Sequence, residues 1–88
     1  MSDILIEKEN IQHYKIIHAE RDRSKELHDK LVAAQRLGNE FKSKVSILFQ
    51  TDAGPRRVET TVWSATEKYI QLKNGIHIPL YSIIEIDY

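Results

Sequence analysis

The spacing of the apolar residues changes near Phe41, and this change constrains the fold more than any other feature. From Val45 onward, apolar and β-branched residues such as Ile47 and Phe49 recur at every second position, which is the period of a β-strand. Residues 5–37 contain no glycine or proline and are rich in Glu, Lys, Arg, Gln, Ala and Leu, which lose little side-chain freedom in a helix. The sequence therefore predicts an α+β chain, mainly β, that begins with a helix.

The predicted helix carries two apolar arcs whose centres lie roughly 130° apart. A straight helix cannot lay both arcs on one surface, and about 33 residues of helix would be about 50 Å long. Two arrangements remain open: the N-terminal arc meets another subunit, or the helix kinks within residues 18–26. The N-terminal arc consists of Ile6, Ile11, Tyr14 and Ile17, and the C-terminal arc consists of Leu27, Leu31, Ala34 and Leu37.

Five short strands are predicted after residue 42. Residues 51–55 are rich in turn formers and too few for a crossover helix, so the first two strands are expected to be antiparallel. Asn74 and Gly75 supply the two positive-φ positions of a type I′ hairpin. Pro79 is expected to end the next strand because it has no N–H to donate, and residues 80–82 then form a tight turn. The predicted strands are residues 45–49, 58–62, 68–73, 76–78 and 83–87.

Short antiparallel strands of this kind hide their apolar faces most economically by closing into a small, bent barrel. The expected fold is an N-terminal helix followed by a five-stranded antiparallel small barrel. Residues 1–41 form the helical segment and residues 42–88 the barrel, and the two make one folding unit. The predicted core consists of Leu27, Leu31, Val45, Ile47, Phe49, Val58, Val62, Ile70, Leu72, Ile76, Ile78, Ile84 and Ile86.

Three runs of the barrel half resemble the Sm-like proteins, of which bacterial Hfq is one: residues 45–48 (VSIL), 69–74 (YIQLKN) and 82–86 (SIIEI). The helix before the barrel gives a weaker similarity to Rof, the inhibitor of the Rho terminator. The resemblance implies a five-stranded antiparallel SH3-like or Sm-like barrel, and it supports this fold more than it supports RNA binding. In Hfq a Tyr-Lys-His run before the last strand contacts RNA, whereas Pro79, Leu80 and Tyr81 stand there in this chain, so that site is not carried over.

Composition narrows the range of functions. The 88 residues include 13 basic and 13 acidic side chains, so long-range attraction to phosphate should be weak. The absence of cysteine removes disulfides, thiolate nucleophiles and cysteine-ligated zinc. Residues 1–10 lack the apolar length of a signal peptide or a membrane span. We therefore expect a cytoplasmic protein that makes no membrane contact.

A nucleic-acid site needs basic side chains beside exposed aromatic rings on which bases stack. Trp63 is the main aromatic candidate, with Tyr69 as a second ring, but packing of Trp63 beneath the helix is the favoured interpretation because large aromatic side chains are mostly buried. The arginines follow the turn at Gly54 and would bind an anion there, or they are solvated at the start of a strand. The candidate contacts are Arg56, Arg57, Trp63, Lys68 and Lys73.

Catalytic and metal chemistry have little support in the sequence. No glycine-rich phosphate loop, GxSxG or HExxH motif is present. His18 with Asp22 is the one histidine spacing that could share a metal, and two ligands are too few for zinc. The acidic groups of residues 20–29 alternate with basic ones, which is typical of a solvated helix face. No cofactor is expected.

Self-association has the best support among the candidate functions. A small β-domain leaves strand edges unpaired, and a second subunit would satisfy those edges and cover the N-terminal arc. The leading hypothesis is a non-catalytic interaction module of unknown partner that forms a homo-oligomer; the alternative is an Sm-like RNA-binding protein, and an enzyme comes third. The predicted oligomer interface consists of Ile11, Tyr14, Ile17, Ile83 and Tyr88.

Overall fold

A computed structural model describes residues 4–20, 24–41, 44–73 and 75–87. Among these residues, seven strands form two sheets: sheet A in the order β1-β3-β2-β7, and sheet B in the order β4-β5-β6. The elements are β1 (Ile4–Ile6), a 3₁₀ segment (Lys8–His13), α1 (Ser24–Phe41), β2 (Val45–Thr51), β3 (Gly54–Thr60), β4 (Val62–Ala65), β5 (Tyr69–Leu72), β6 (His77–Pro79), a 3₁₀ turn (Leu80–Ser82) and β7 (Ile83–Asp87).

The helix predicted over residues 5–37 is wrong for its first half. Residues 4–6 form β1, which pairs in parallel with β3, and residues 8–13 form the 3₁₀ segment. Residues 14–20 then run along the β2–β3 hairpin, where the N–H of Ile17 donates to the carbonyl of Gln50 at 3.2 Å. The β-branched isoleucines of residues 4–17 favour extended backbone, and the 3₁₀ segment between the two extended stretches places Ile11 in the core with 1% of its surface exposed.

The second half of the predicted helix exists as α1. Its buried residues Leu27, Leu31 and Ala34 belong to the predicted C-terminal arc, and they join the same hydrophobic cluster as the strands. The helix continues past Gly38 to Phe41, although glycine inside a helix costs about 1 kcal/mol relative to alanine. The predicted stop at Gly38 is therefore wrong. The predicted kink falls partly on residues 21–23, which lie outside the described residues.

The β2–β3 hairpin is antiparallel, as predicted, with Val45 paired to Thr60 and Thr51 paired to Gly54. Its loop is shorter than the predicted residues 51–55, since only Asp52 and Ala53 lie between the strands. The hydroxyl of Thr51 donates to the carbonyl of Gly54 at 2.6 Å and accepts the N–H of Ala53 at 3.2 Å. Gly54 has a backbone φ of +110°, which residues other than glycine rarely adopt. The turn therefore requires glycine.

The predicted closed five-stranded barrel is wrong. The described strands form two separate sheets, and within the described residues no strand pairing joins them. The prediction treated residues 58–62 as one strand, but β3 ends at Thr60 and β4 begins at Val62 with a new partner, β5. The other edge of β3 pairs with β1. This strand was not predicted, because the sequence had indicated a helix for this segment.

The β5–β6 hairpin has the predicted position. Gly75 has φ +84°, and the N–H of Leu72 donates to the carbonyl of Ile76 at 2.8 Å. Asn74 lies outside the described residues, so the type I′ geometry stays a prediction. Pro79 ends β6 and residues 80–82 form a 3₁₀ turn, as the sequence predicts.

A β-bulge in β7 alters the predicted core. Phe49 pairs with Ile83 and Leu48 pairs with Glu85, so Ile84 is an extra residue in β7 and the inward alternation shifts. Ile83 is therefore buried, and Ile84 is only partly buried. Ile76 is also only partly buried. The buried hydrophobic residues that the prediction omitted are Ile11, Ala34, Leu48, Leu80 and Ile83.

Candidate binding surfaces

The outer edge of β1 is an unpaired strand edge of the described structure. β1 stands at the end of sheet A and pairs only with β3 there. Ile4 and Leu5 on this strand are 51% and 58% exposed. Backbone N–H and C=O groups on such an edge are available to another strand, and the exposed isoleucine and leucine add apolar surface beside them.

Other edges are partly covered. The side-chain amide of Gln35 on α1 accepts the N–H of Ala65 in β4 at 3.2 Å. The Lys30 ammonium of the same helix donates to the carbonyl of Ile86 in β7 at 3.5 Å. In β6, Pro79 has no N–H to offer to a partner. These contacts leave β1 as the edge best suited to pairing.

A cleft of about 700 Å³ adjoins β1 at one end of sheet A. Three apolar residues, Leu5, Ile6 and Val45, form part of its wall. Four carboxylates and one lysine lie around it, together with two uncharged polar side chains. The full lining is Leu5, Ile6, Glu7, Glu9, Asn10, Lys44, Val45, Ser46, Glu59 and Asp87. We call this feature the β1 cleft.

The register of sheet A explains why carboxylates gather in the β1 cleft. Ile6 pairs with Val58, so Glu7 and Glu59, which follow these two residues, lie at the same end of adjacent strands. Ser46 pairs with Glu59 on one side and with Asp87 on the other. Glu59 is exposed whereas its neighbours in β3 are buried. Glu59 therefore points away from the core.

Arg57 neutralises only part of this negative charge. Its guanidinium lies 3.6 Å from the carboxylate of Asp87 and donates a hydrogen bond to the hydroxyl of Ser46. Within the described part of the chain, no ion pair holds Glu7, Glu9 or Glu59. The β1 cleft therefore carries a net negative charge.

The predicted nucleic-acid contacts divide between the two sheets. Arg56 and Arg57 lie on β3 of sheet A, and neighbouring groups hold both. Arg56 donates to the carbonyl of Pro55 at 2.8 Å, and its guanidinium lies 5.2 Å from the centre of the Tyr14 ring. The turn-bound arginine pair expected from sequence therefore does not form one site with Trp63.

Trp63, Lys68 and Lys73 lie on or beside sheet B, and all three are exposed. Trp63 is 50% exposed because it is the extra residue of a bulge: Val62 pairs with Leu72 and Ser64 with Gln71. Packing beneath the helix is therefore not its main environment. Half of the indole surface faces solvent.

Two further residues complete this outer face of sheet B. Gln71 pairs with His77, and the His77 ring stacks on Tyr69 with 4.3 Å between centroids and 18° between planes. Tyr69 is 36% exposed. Neither His77 nor Gln71 is among the contact residues predicted from the sequence, although the hairpin at Gly75 fixes the register that pairs them. We call Trp63, Tyr69, Gln71 and His77 the aromatic face.

The residues predicted to form an oligomer interface do not lie on one surface. Ile11 and Ile83 are 1% and 0% exposed and lie in the core of this single chain. Tyr14 and Ile17 are partly buried, and Tyr88 lies outside the described residues. The sequence predicted that a second subunit would bury Ile11 and Ile83. In the structure, the chain itself buries both residues.

The remaining polar candidates are dispersed. Among the described residues, no group of three or more His, Asp or Glu side chains is placed to hold a metal ion. His18 stacks on Tyr81 with 4.0 Å between ring centroids, and Asp22, its expected metal-sharing partner, is outside the described residues. His13, His28 and His77 are exposed.

None of the described helices has the length and apolar character needed to cross a lipid bilayer. Comparisons with protein families, with curated proteins and with solved structures found no match.

Proposed function

We propose that this protein is a non-catalytic interaction module that binds an extended polypeptide segment by strand addition at the outer edge of β1. The observation that carries the proposal is an edge strand with two large apolar side chains, Ile4 and Leu5, more than half exposed. Main-chain hydrogen bonds supply affinity in this mode of recognition, and side-chain pockets supply specificity. The adjoining β1 cleft would serve as such a pocket.

The cytoplasm is the compartment that we propose for this function. The chain has no cysteine, and small secreted domains usually depend on disulfides. Catalysis is not part of the proposal, since the one hydroxyl that lines the β1 cleft, that of Ser46, accepts a hydrogen bond from the Arg57 guanidinium and is not paired with a base.

In self-association, the segment added at β1 would come from a second copy of the same chain. Two copies could pair their β1 edges about a two-fold axis and cover Ile4 and Leu5 of both. Light scattering over a range of protein concentrations tests this form. Leu5→Lys should return an oligomer to the monomer, whereas Val32→Lys, on α1 and 50% exposed, should not. A monomeric wild-type chain at every concentration would remove the second copy as the partner.

Single-stranded RNA binding is the second candidate function, and the aromatic face favours it. Bases stack on exposed rings, and each stacked base contributes about 1–3 kcal/mol. Trp63 and Tyr69 offer such rings, and Lys68 and Lys73 flank them on the same sheet. Two lysines are a small electrostatic contribution, so this affinity should be modest.

The RNA candidate is tested with a fluorescein-labelled oligouridine and fluorescence anisotropy. Two phosphate contacts predict that affinity falls about five- to tenfold between 50 and 200 mM salt. Trp63→Ala and Lys73→Gln should weaken binding, whereas Lys15→Gln, an exposed lysine near the β2–β3 hairpin, should not. No binding at low salt removes this candidate.

A further inference from the structure

We infer that the segment bound at β1 is cationic: an extended stretch of another polypeptide in which lysine or arginine alternates with apolar residues. This inference rests on the proposed strand addition and names its partner chemistry. Two features of the described residues support it together. One is the open, apolar edge of β1, and the other is the unbalanced negative charge of the β1 cleft beside it.

The net charge of the β1 cleft indicates which charge its binding partner carries. Glu7, Glu9, Glu59 and Asp87 line the β1 cleft with Lys44 as the one cation among the lining residues. Arg57 contacts the Asp87 carboxylate from the sheet, which leaves the three glutamates to attract a ligand. Like charges placed together on a surface favour partners of the opposite charge and repel others.

The geometry of sheet A suits an extended ligand. Alternate side chains of a strand point to opposite faces. β1 has three residues, so a segment added beside it would turn alternate side chains toward the face of sheet A that carries Leu5, and the side chain nearest the end of β1 would lie beside the β1 cleft. The volume of this cleft, about 700 Å³, leaves room for a long side chain. Leu5, which is 58% exposed, would contact the aliphatic stem of a lysine or arginine whose charged end reaches the carboxylates.

A second copy of this chain fits the β1 cleft less well. Its own edge strand, β1, is followed by Glu7, Lys8 and Glu9, which together carry one net negative charge, so a copy would bring further negative charge to a negative site. Like-charge contacts at an interface are unfavourable. The occupant that we infer is therefore a different polypeptide, and the second copy is one outcome of the test.

The test uses three fluorescein-labelled eight-residue peptides with valine at every second position and lysine, glutamine or glutamate at the others. Their affinities for the full chain are measured by fluorescence anisotropy at low and high salt. The lysine peptide should bind at least tenfold more tightly than the glutamine peptide, and the glutamate peptide should bind least. Raising the salt concentration should reduce the difference, because exposed charges are screened.

Variants locate the site. Glu59→Gln and Glu7→Gln should each weaken the lysine peptide by about two- to fivefold and leave the glutamine peptide unchanged. Glu67→Gln, an exposed glutamate in the turn before β5, is the matched control and should change neither. Leu5→Lys should weaken the lysine and glutamine peptides, because it removes an apolar contact of the edge strand.

The possible failures differ from one another. Equal binding of the lysine and glutamine peptides, both lost in Leu5→Lys, would overturn the cationic partner and support strand addition. No binding by any peptide would overturn both proposals. A lysine preference that Glu59→Gln and Glu67→Gln reduce equally would place the site elsewhere and overturn the inference. So would a dimer through β1 that the lysine peptide does not dissociate.

Discussion

Replacing Ile11 by alanine tests whether the N-terminal segment belongs to the core of one chain. Ile11 is 1% exposed and lies in the hydrophobic cluster with α1 and the strands. The change removes three carbons, worth about 2 to 2.5 kcal/mol in transfer free energy, and a cavity that relaxes incompletely adds to this cost. We expect the free energy of unfolding to fall by about 2 to 4 kcal/mol.

This loss is large for a chain of 88 residues. Domains of this size have a free energy of unfolding of about 4 to 13 kcal/mol. A loss of 3 kcal/mol should therefore lower the urea midpoint by about 1.5 to 2 M if the m value is between about 1.5 and 2 kcal/mol/M. Urea unfolding followed by circular dichroism measures the change. The matched control is Ile4→Ala, which removes the same atoms from a side chain that is 51% exposed and should cost less than about 1 kcal/mol.

Two results would refute the reasoning. Equal losses for Ile11→Ala and Ile4→Ala would mean that Ile11 is not in the core. A wild-type midpoint that rises with protein concentration, with a rise that Ile11→Ala abolishes, would mean that a second subunit buries Ile11. The second result would restore the interface that the sequence analysis assigned to this residue.

Three further predictions concern stability and are measured by thermal or urea unfolding. Ile70→Ala, at a site with 0% exposure, should cost about 2 to 5 kcal/mol, and a loss below about 1 kcal/mol would contradict its place in the core. Gly54→Ala should cost about 1 to 3 kcal/mol because of its φ of +110°. Gly75→Ala should be destabilising for the same reason but should cost less, because its φ of +84° is closer to the left-handed helical region that other residues can adopt; equal losses at the two glycines would contradict this order. Thr51→Val keeps the side-chain volume and removes both hydrogen bonds of a hydroxyl that is part of a buried residue, so it should cost about 1 to 3 kcal/mol, and a neutral result would show that the turn does not need them.

Strand positions were predictable from the sequence because their signals are local. Alternation at Val45, Ile47 and Phe49 gives β2 whatever the rest of the chain does, and all three residues are buried. Pro79 and Gly75 mark a strand end and a turn through their own backbone chemistry. The same holds for the buried face of α1, where Leu27 and Leu31 recur at helical spacing.

The N-terminal segment was not predictable in the same way. Its glutamates, lysines and glutamine suit a helix, whereas its isoleucines suit extended backbone, and local propensities do not choose between them. The choice depends on β3, whose free edge accepts Ile4–Ile6, and on the space in the core that Ile11 fills. A contact between residues so distant in the chain leaves no local pattern.

The candidate surfaces depended on strand register, which the sequence specifies only weakly. The bulges at Trp63 and Ile84 each insert one residue, and a shift of one residue moves the following side chains to the opposite face. Trp63 was therefore found as a candidate but assigned to packing, and Ile83 was assigned to a surface. The β1 cleft was missed because it requires β1, β2, β3 and β7 together.

The parallel pairing of β1 with β3 has a consequence for the order of folding. β1 is synthesised first, yet the strand that receives it lies about 50 residues later in the chain. Closing so long a loop is entropically costly, whereas the β2–β3 hairpin closes over two residues. We therefore expect the hairpin to form early and the N-terminal strand to dock late. The same strand should detach first when the folded protein opens locally, which hydrogen exchange of its amides would record.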